Sequence, residues 1–278
     1  MMVMPGMKKK AQYGAPSGSY GESLIPLVLI LVLAIFIAAK MGYMDLHSVP
    51  IVGSLFPAPY IRVLVVGQAS AQLEYMLKSE DMRIAGITYA GSISQDAVVP
   101  GALDNFDIII LQGSTVCDRT SRSAITQRVK AGGKLMVIGD ACTRVTDDPN
   151  ALGWDIGIGL LGDVMPVTYG GVIMHEKTGE GRVYADGRFK IIASDHPMFN
   201  GVVNFQFTGT LTNVYPNSNA NVLAYIDTYM GAASPATFGV LESQGFLSGK
   251  TVYFAFDPGT TSRTMLQNAL LYMKGAKG

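Results

Sequence analysis

The chain has 278 residues, enough for one large domain or two small ones, and Lys plus Arg balance Asp plus Glu at 21 each. That balance leaves no basic footprint, so a nucleic-acid partner is not expected. Hydrophobic residues reach 49% while charged residues fall to 15%, and Cys117, Cys142, His47, His175 and His196 lack the paired spacing of a zinc site, so neither metal nor cofactor is expected.

Residues 1–23 are small, polar and aperiodic, and read as a disordered tail. Residues 24–39 (LIPLVLILVLAIFIAA) then run without a charge and are apolar on every side, unlike an amphipathic core helix. At about 1.5 Å per residue the run spans roughly 24 Å. Including 40–44 brings it to about 31 Å, matching a hydrocarbon core of about 30 Å. Lys40 can lay its methylenes on the apolar zone and reach the interface with its ammonium. A transmembrane helix over 24–44 is therefore expected, with membrane lipid as its partner. A cleaved signal peptide ending near Ile37-Ala38-Ala39 is the rival reading. Lys8, Lys9 and Lys10 before the span place the N-terminus in the cytoplasm and the C-terminal domain outside it. Residues 45–60, with Pro50, Pro57 and Pro59, read as a linker, and a single α/β domain is expected over 61–278.

Within that domain, 61–67 (IRVLVVG) has the composition of a strand buried on both faces. A helix follows over 69–79, then strands over 83–89 and 106–111. A helix over 120–130 ends at Gly132-Gly133 and leads to a strand over 134–139. Strands alternating with helices predict a parallel sheet covered on both faces. After Trp154 the pattern changes: 181–192 suggests a hairpin, and 221–227, 236–242 and 250–257 read as strands. A closing helix over 262–274 puts Met265, Ala269, Leu270 and Met273 on one face, with Ser262 as its N-cap.

Three segments carry a resemblance: 131–143 (AGGKLMVIGDACT), 194–202 (SDHPMFNGV) and 249–273 (GKTVYFAFDPGTTSRTMLQNALLYM). Together they resemble the class I glutamine amidotransferase-like superfamily, especially its non-catalytic, ThuA-like branch, over roughly 61–275. The resemblance implies a flavodoxin-like three-layer α/β fold. In catalytic members of that superfamily a cysteine sits on a sharp turn after a strand and a His-x-Glu pair completes a triad. Here Cys142 in 139–143 (GDACT) falls one residue late, and His175 and Glu176 are adjacent, so on a strand they would face opposite ways. No catalytic triad is expected.

Cys117 and Cys142 each lie just beyond a predicted strand. If those strands are parallel neighbours the thiols share one sheet edge, where an extracytoplasmic domain would bridge them; two buried free thiols are the alternative. Gln112, Ser114, Thr115, Asp140, Cys142 and Thr143 gather at the same edge, where open parallel sheets bind ligands. Asp257-Pro258-Gly259-Thr260 reads as a turn and cap, and 157–162 spells G-x-G-x-x-G without joining a strand to a helix. The expected function is that of an extracytoplasmic, single-pass, non-catalytic binding or assembly subunit with protein partners. The alternatives are a membrane-tethered cysteine hydrolase using Cys142 with His175 or His196, and a glycan-binding surface domain.

Overall fold

A computed structural model of the chain describes residues 26, 29–34, 60–155, 161–170, 181–228, 237–244 and 249–275. The chain divides into two units, Met1–Leu55 and Phe56–Gly278. In the first unit residues 26 and 29–34 are helical and exposed. The rest of the expected 24–44 anchor lies outside the described residues, among which no helix is long and apolar enough to cross a membrane.

The second unit begins its sheet with β1 (Ile61–Gly67), followed by α1 (Ala71–Leu77), α2 (Glu80–Ile84), β2 (Ile87–Ile93) and β3 (Ile108–Gln112). A short β4 (Val116–Cys117) leads into α3 (Arg119–Lys130), β5 (Lys134–Ile138), β6 (Arg144–Val145), β7 (Asp148–Leu152) and β8 (Val167–Tyr169). Then come β9 (Arg182–Ile191), β10 (Phe205–Thr212), β11 (Val214–Pro216), β12 (Asn221–Thr228), β13 (Thr237–Gln244), β14 (Lys250–Phe254) and α4 (Arg263–Lys274). The main sheet has nine strands in the order β10-β9-β12-β13-β14-β5-β3-β1-β2.

The parallel sheet expected from the sequence is present as part of a larger mixed sheet. Strands β14, β5, β3, β1 and β2 pair parallel, whereas β13, β12, β9 and β10 extend the sheet antiparallel. Read by chain order, the parallel part runs second, first, third, fourth, fifth, which is the flavodoxin-like order. Its strands are apolar at nearly every position because both faces are covered: β3 and β14 are buried throughout. Lys250 and Phe254 face α4, whose Tyr272 lies under the Lys250 ammonium. Tyr253 points the other way, edge-on to Trp154, whose carbonyl accepts from Arg122 of α3. Helices therefore lie on both faces.

Two further expectations shift. Residues 83–84 belong to α2 rather than to a strand, and the strand is Ile87–Ile93. The hairpin expected within 181–192 is one strand, β9, whose partner β10 comes later in the chain. The closing helix is as expected: Ser262 caps it by accepting from the Met265 amide at 3.2 Å, and Met265, Ala269, Leu270 and Met273 are buried.

Candidate functional site

The parallel strands end at a common edge, and the loops leaving them carry polar side chains. Ser70, between β1 and α1, caps that helix by accepting from the Leu73 amide at 3.0 Å. Its own amide donates to Gln112 Oε1 at the end of β3, at 2.9 Å. Gln112 Nε2 donates in turn to Asp257 Oδ2, at 2.9 Å, and the Ser70 hydroxyl donates to the same oxygen. Asp257, after β14, also caps its own turn, with Oδ1 accepting from the Gly259 amide at 2.8 Å.

This network occupies the gap between β1 and β3, the switch point where flavodoxin-like sheets hold ligands. The backbones close it further, because the Gln68 amide donates to the Gln112 carbonyl at 3.0 Å. Protein groups thus satisfy one another where a substrate would sit. Gln95, after β2, reaches the same edge: its side chain is 8% exposed and its Nε2 has no partner among the described residues.

The remaining predicted edge residues hold loops. Asp140 takes a two-pronged ion pair from Arg182, at 2.9 Å from Nε and 2.7 Å from Nη2. Thr143 donates to the Asp140 carbonyl at 2.9 Å, and the indole of Trp154 donates to Ala141 at 2.8 Å. Ser114 bonds the backbone of Val116, and the Thr115 carbonyl accepts from Arg144 at 2.8 Å. Gln112 therefore joins the switch-point network, while Ser114, Thr115, Asp140, Cys142 and Thr143 form a separate, cross-braced turn.

Cys142 is bonded to Cys117, with Cα atoms 5.0 Å apart, and is 1% exposed. Its φ of 58° is left-handed, the single such non-glycine among the described residues. That conformation is costly for a side chain bearing a Cβ. The Cys142 amide, donating to Ser114 at 2.9 Å, and the disulfide hold it there. Cys142 thus stands at an elbow after a strand, yet its sulfur is committed to a covalent bond.

His175 and Glu176 lie outside the described residues, as do 157–160 of the glycine-rich stretch. His196 caps the short turn Pro197–Phe199, its Nδ1 accepting from Met198 at 3.3 Å. Its other nitrogen lies 3.4 Å from Glu242 Oε1, not beside Cys142. Glu242 also accepts from Tyr272 at 2.7 Å and Asn221 at 3.1 Å. Burial alone would push this carboxyl up, but the donors His196, Tyr272 and Asn221 outweigh it and hold it below the usual 4.5.

A depressed carboxyl stabilises the fold above its unfolded value, and that contribution is lost as pH falls through its folded value. Between pH 7 and about 3, unfolding free energy measured by urea titration is therefore expected to fall more steeply in the native protein than in Glu242→Gln. Parallel slopes would contradict the assignment.

Sequence reasoning missed Ser70, Gln95 and Arg182, and assigned Asp257 only its capping role. Ser70 carried a legible signal, a serine directly after a strand and before a helical pattern. Arg182 carried none, standing 42 residues from Asp140.

The strand order defines a mixed α/β fold whose parallel part is flavodoxin-like and whose sheet is extended by antiparallel strands. No family model and no curated protein matches the sequence. Among solved structures, a ThuA-like protein from Bacteroides uniformis is similar at 13% identity, with 78% of this chain and 93% of that one covered and a TM-score of 0.54. A protein from Salmonella typhimurium LT2 described as cytoplasmic is similar at 16% identity, covering 76% of this chain and 99% of that one, with a TM-score of 0.54. A β-galactosidase from Rahnella sp. R3 matches 81% of this chain over 34% of its own, at 12% identity and a TM-score of 0.55. At such identities the likeness is one of fold.

Proposed function

We propose that the chain is a non-catalytic binding or assembly subunit, held at the extracytoplasmic face of a membrane by residues 24–44. The carrying observation is the Cys117–Cys142 bond, which takes the elbow sulfur out of nucleophilic chemistry. A persistent disulfide suits an oxidising compartment, and the charge-free run 24–39 together with Lys8, Lys9 and Lys10 supplies a route to it. The closed switch point agrees, since Ser70, Gln112 and Asp257 spend their hydrogen bonds on one another. Recognition then belongs to surfaces. One is a shallow apolar depression of about 250 Å³ lined by Ala71, Gln72, Tyr75, Met76 and Gly259, with Tyr75 71% exposed at its rim. That volume is below the roughly 300–1,000 Å³ of small-molecule sites and suits a side chain from a protein partner.

Two measurements test the reading together. Denatured without reductant, the protein isolated from membranes is expected to take up no iodoacetamide, and after reduction two equivalents. Carbonate washing is expected to leave the full-length chain in the membrane pellet, and mild detergent to release it with partner proteins. A free Cys142 that reacts with electrophiles in the native protein would return the hydrolase reading, and release by carbonate would remove the anchor.

A further inference from the structure

Opposite the candidate site, at the amino ends of the parallel strands, two lysines stand side by side. Lys250 opens β14, Lys134 opens β5, and the two are direct partners in the parallel register. Residues so paired project from the same face, on strands about 4.8 Å apart. That face is the one covered by α4, where the Lys250 ammonium sits 3.4 Å from the centre of the Tyr272 ring.

Neither lysine has a carboxylate within ion-pair reach among the described residues. The acids nearby are already engaged. Asp107 pairs with Lys274, and Glu242 is held by Tyr272, Asn221 and His196. More positive charge borders the pair: Arg128 donates to the carbonyls of Leu103 and Phe106 rather than to an acid. Lys250 is only 8% exposed. Burial pushes its amine down to about 8; Glu242 partly offsets that effect and Lys134 adds to it. Burial, Lys274 and Arg128 likewise lower Lys134.

Like charges set side by side on neighbouring strands destabilise a sheet, and a desolvated ammonium with only an aromatic ring and no carboxylate beside it costs more. Methionine would fill either position without that cost. Two lysines paired in register on one face of the sheet, with no acid to neutralise them, are suited to holding an anion.

We propose that Lys134 and Lys250 form a binding site for a phosphate-type oxyanion, with the Tyr272 ring holding the Lys250 ammonium in place. Each ammonium donates to one oxygen of the anion, and Lys274 stands at the rim. Free phosphate and a phospholipid headgroup share this chemistry. The site is independent of the membrane reading.

The test uses the full chain in a non-ionic detergent, following thermal unfolding at matched ionic strength. Inorganic phosphate is compared with chloride, and, in a second arm, short-chain phosphatidylglycerol with phosphatidylcholine. Phosphate or phosphatidylglycerol is expected to raise the midpoint by about 2–4 °C, and the arm that responds identifies the source. Lys134→Met and Lys250→Met are each expected to unfold at a higher temperature than the native chain without anion, and to lose the anion's effect. Lys78→Met, which removes an exposed ion pair with Glu74, should keep the effect. Lys134 is half-buried, so Lys134→Met carries the test if Lys250→Met does not fold. No shift in either arm, or an undiminished shift in Lys134→Met, overturns the proposal.

Discussion

Gly67→Ala is expected to cost the domain about 3 kcal/mol or more, because strain and collision add at one position. Gly67 ends β1 with φ at 107°, a region that side chains avoid. A methyl group there would also fall inside contact distance of the Gln112 carbonyl oxygen, which belongs to the neighbouring strand and cannot swing aside. Moving β3 to make room would break the bond from Gln68 to Gln112 and displace the Gln112 side chain from Ser70 and Asp257. Gly132→Ala is the control, since Gly132 has φ at 97° but nothing within 4 Å of a new Cβ. It carries strain without collision, and should cost about 1 kcal/mol. Urea unfolding of the two variants separates the effects, and equal losses would mean that the approach of β1 to β3 adds nothing.

Removing the disulfide with Cys117→Ser and Cys142→Ser together is expected to lower stability by roughly 2–4 kcal/mol. The two residues are 25 apart in sequence, and both are buried. They clamp β4 to β6, which pair through Val116 with Arg144 and Cys117 with Val145. They also help hold Cys142 in its left-handed backbone. Reductant should lower the unfolding midpoint of the native protein toward that of the double variant, and leave the variant unchanged. A native protein indifferent to reductant, with two titratable thiols, would show that no bridge forms.

What the sequence made legible follows from where its signals are local. The run 61–67 announced a strand because it is buried on both sides, and 262–274 announced a helix because its apolar stripe and serine cap lie within a few turns. The nearness of the two cysteines was readable because both follow parallel neighbours, β3 and β5, while whether they bridge was left open. Ile84 misled, since its apolar side chain suggested a strand, whereas it is 76% exposed at the end of α2. The hairpin expected over 181–192 failed in another way, at Asp186-Gly187. The dipeptide is a common turn signal, but here it lies inside β9. Gly187 is small because the backbone of Asp227 and Thr228 on β12 passes too close for a Cβ, and Asp186 is used by Gln206 and Thr208 of β10. Such constraints come from neighbouring strands far away in the chain. The same is true of the candidate site: Gln112 and Asp257 meet across 145 residues, and no local pattern announces their bond.

The position of β14 has a consequence for how the protein is made. It lies between β5, which it pairs in parallel, and β13, which it pairs antiparallel, so it joins the two halves of the main sheet. It also follows every other described strand in chain order. Until it arrives, each half exposes a long, apolar, unpaired margin, the kind of surface that nucleates aggregation. A chain stopped before residue 249 would keep both margins open. The keystone comes after the strands it joins, and nascent or truncated forms without it should therefore depend on chaperones far more than the finished domain does.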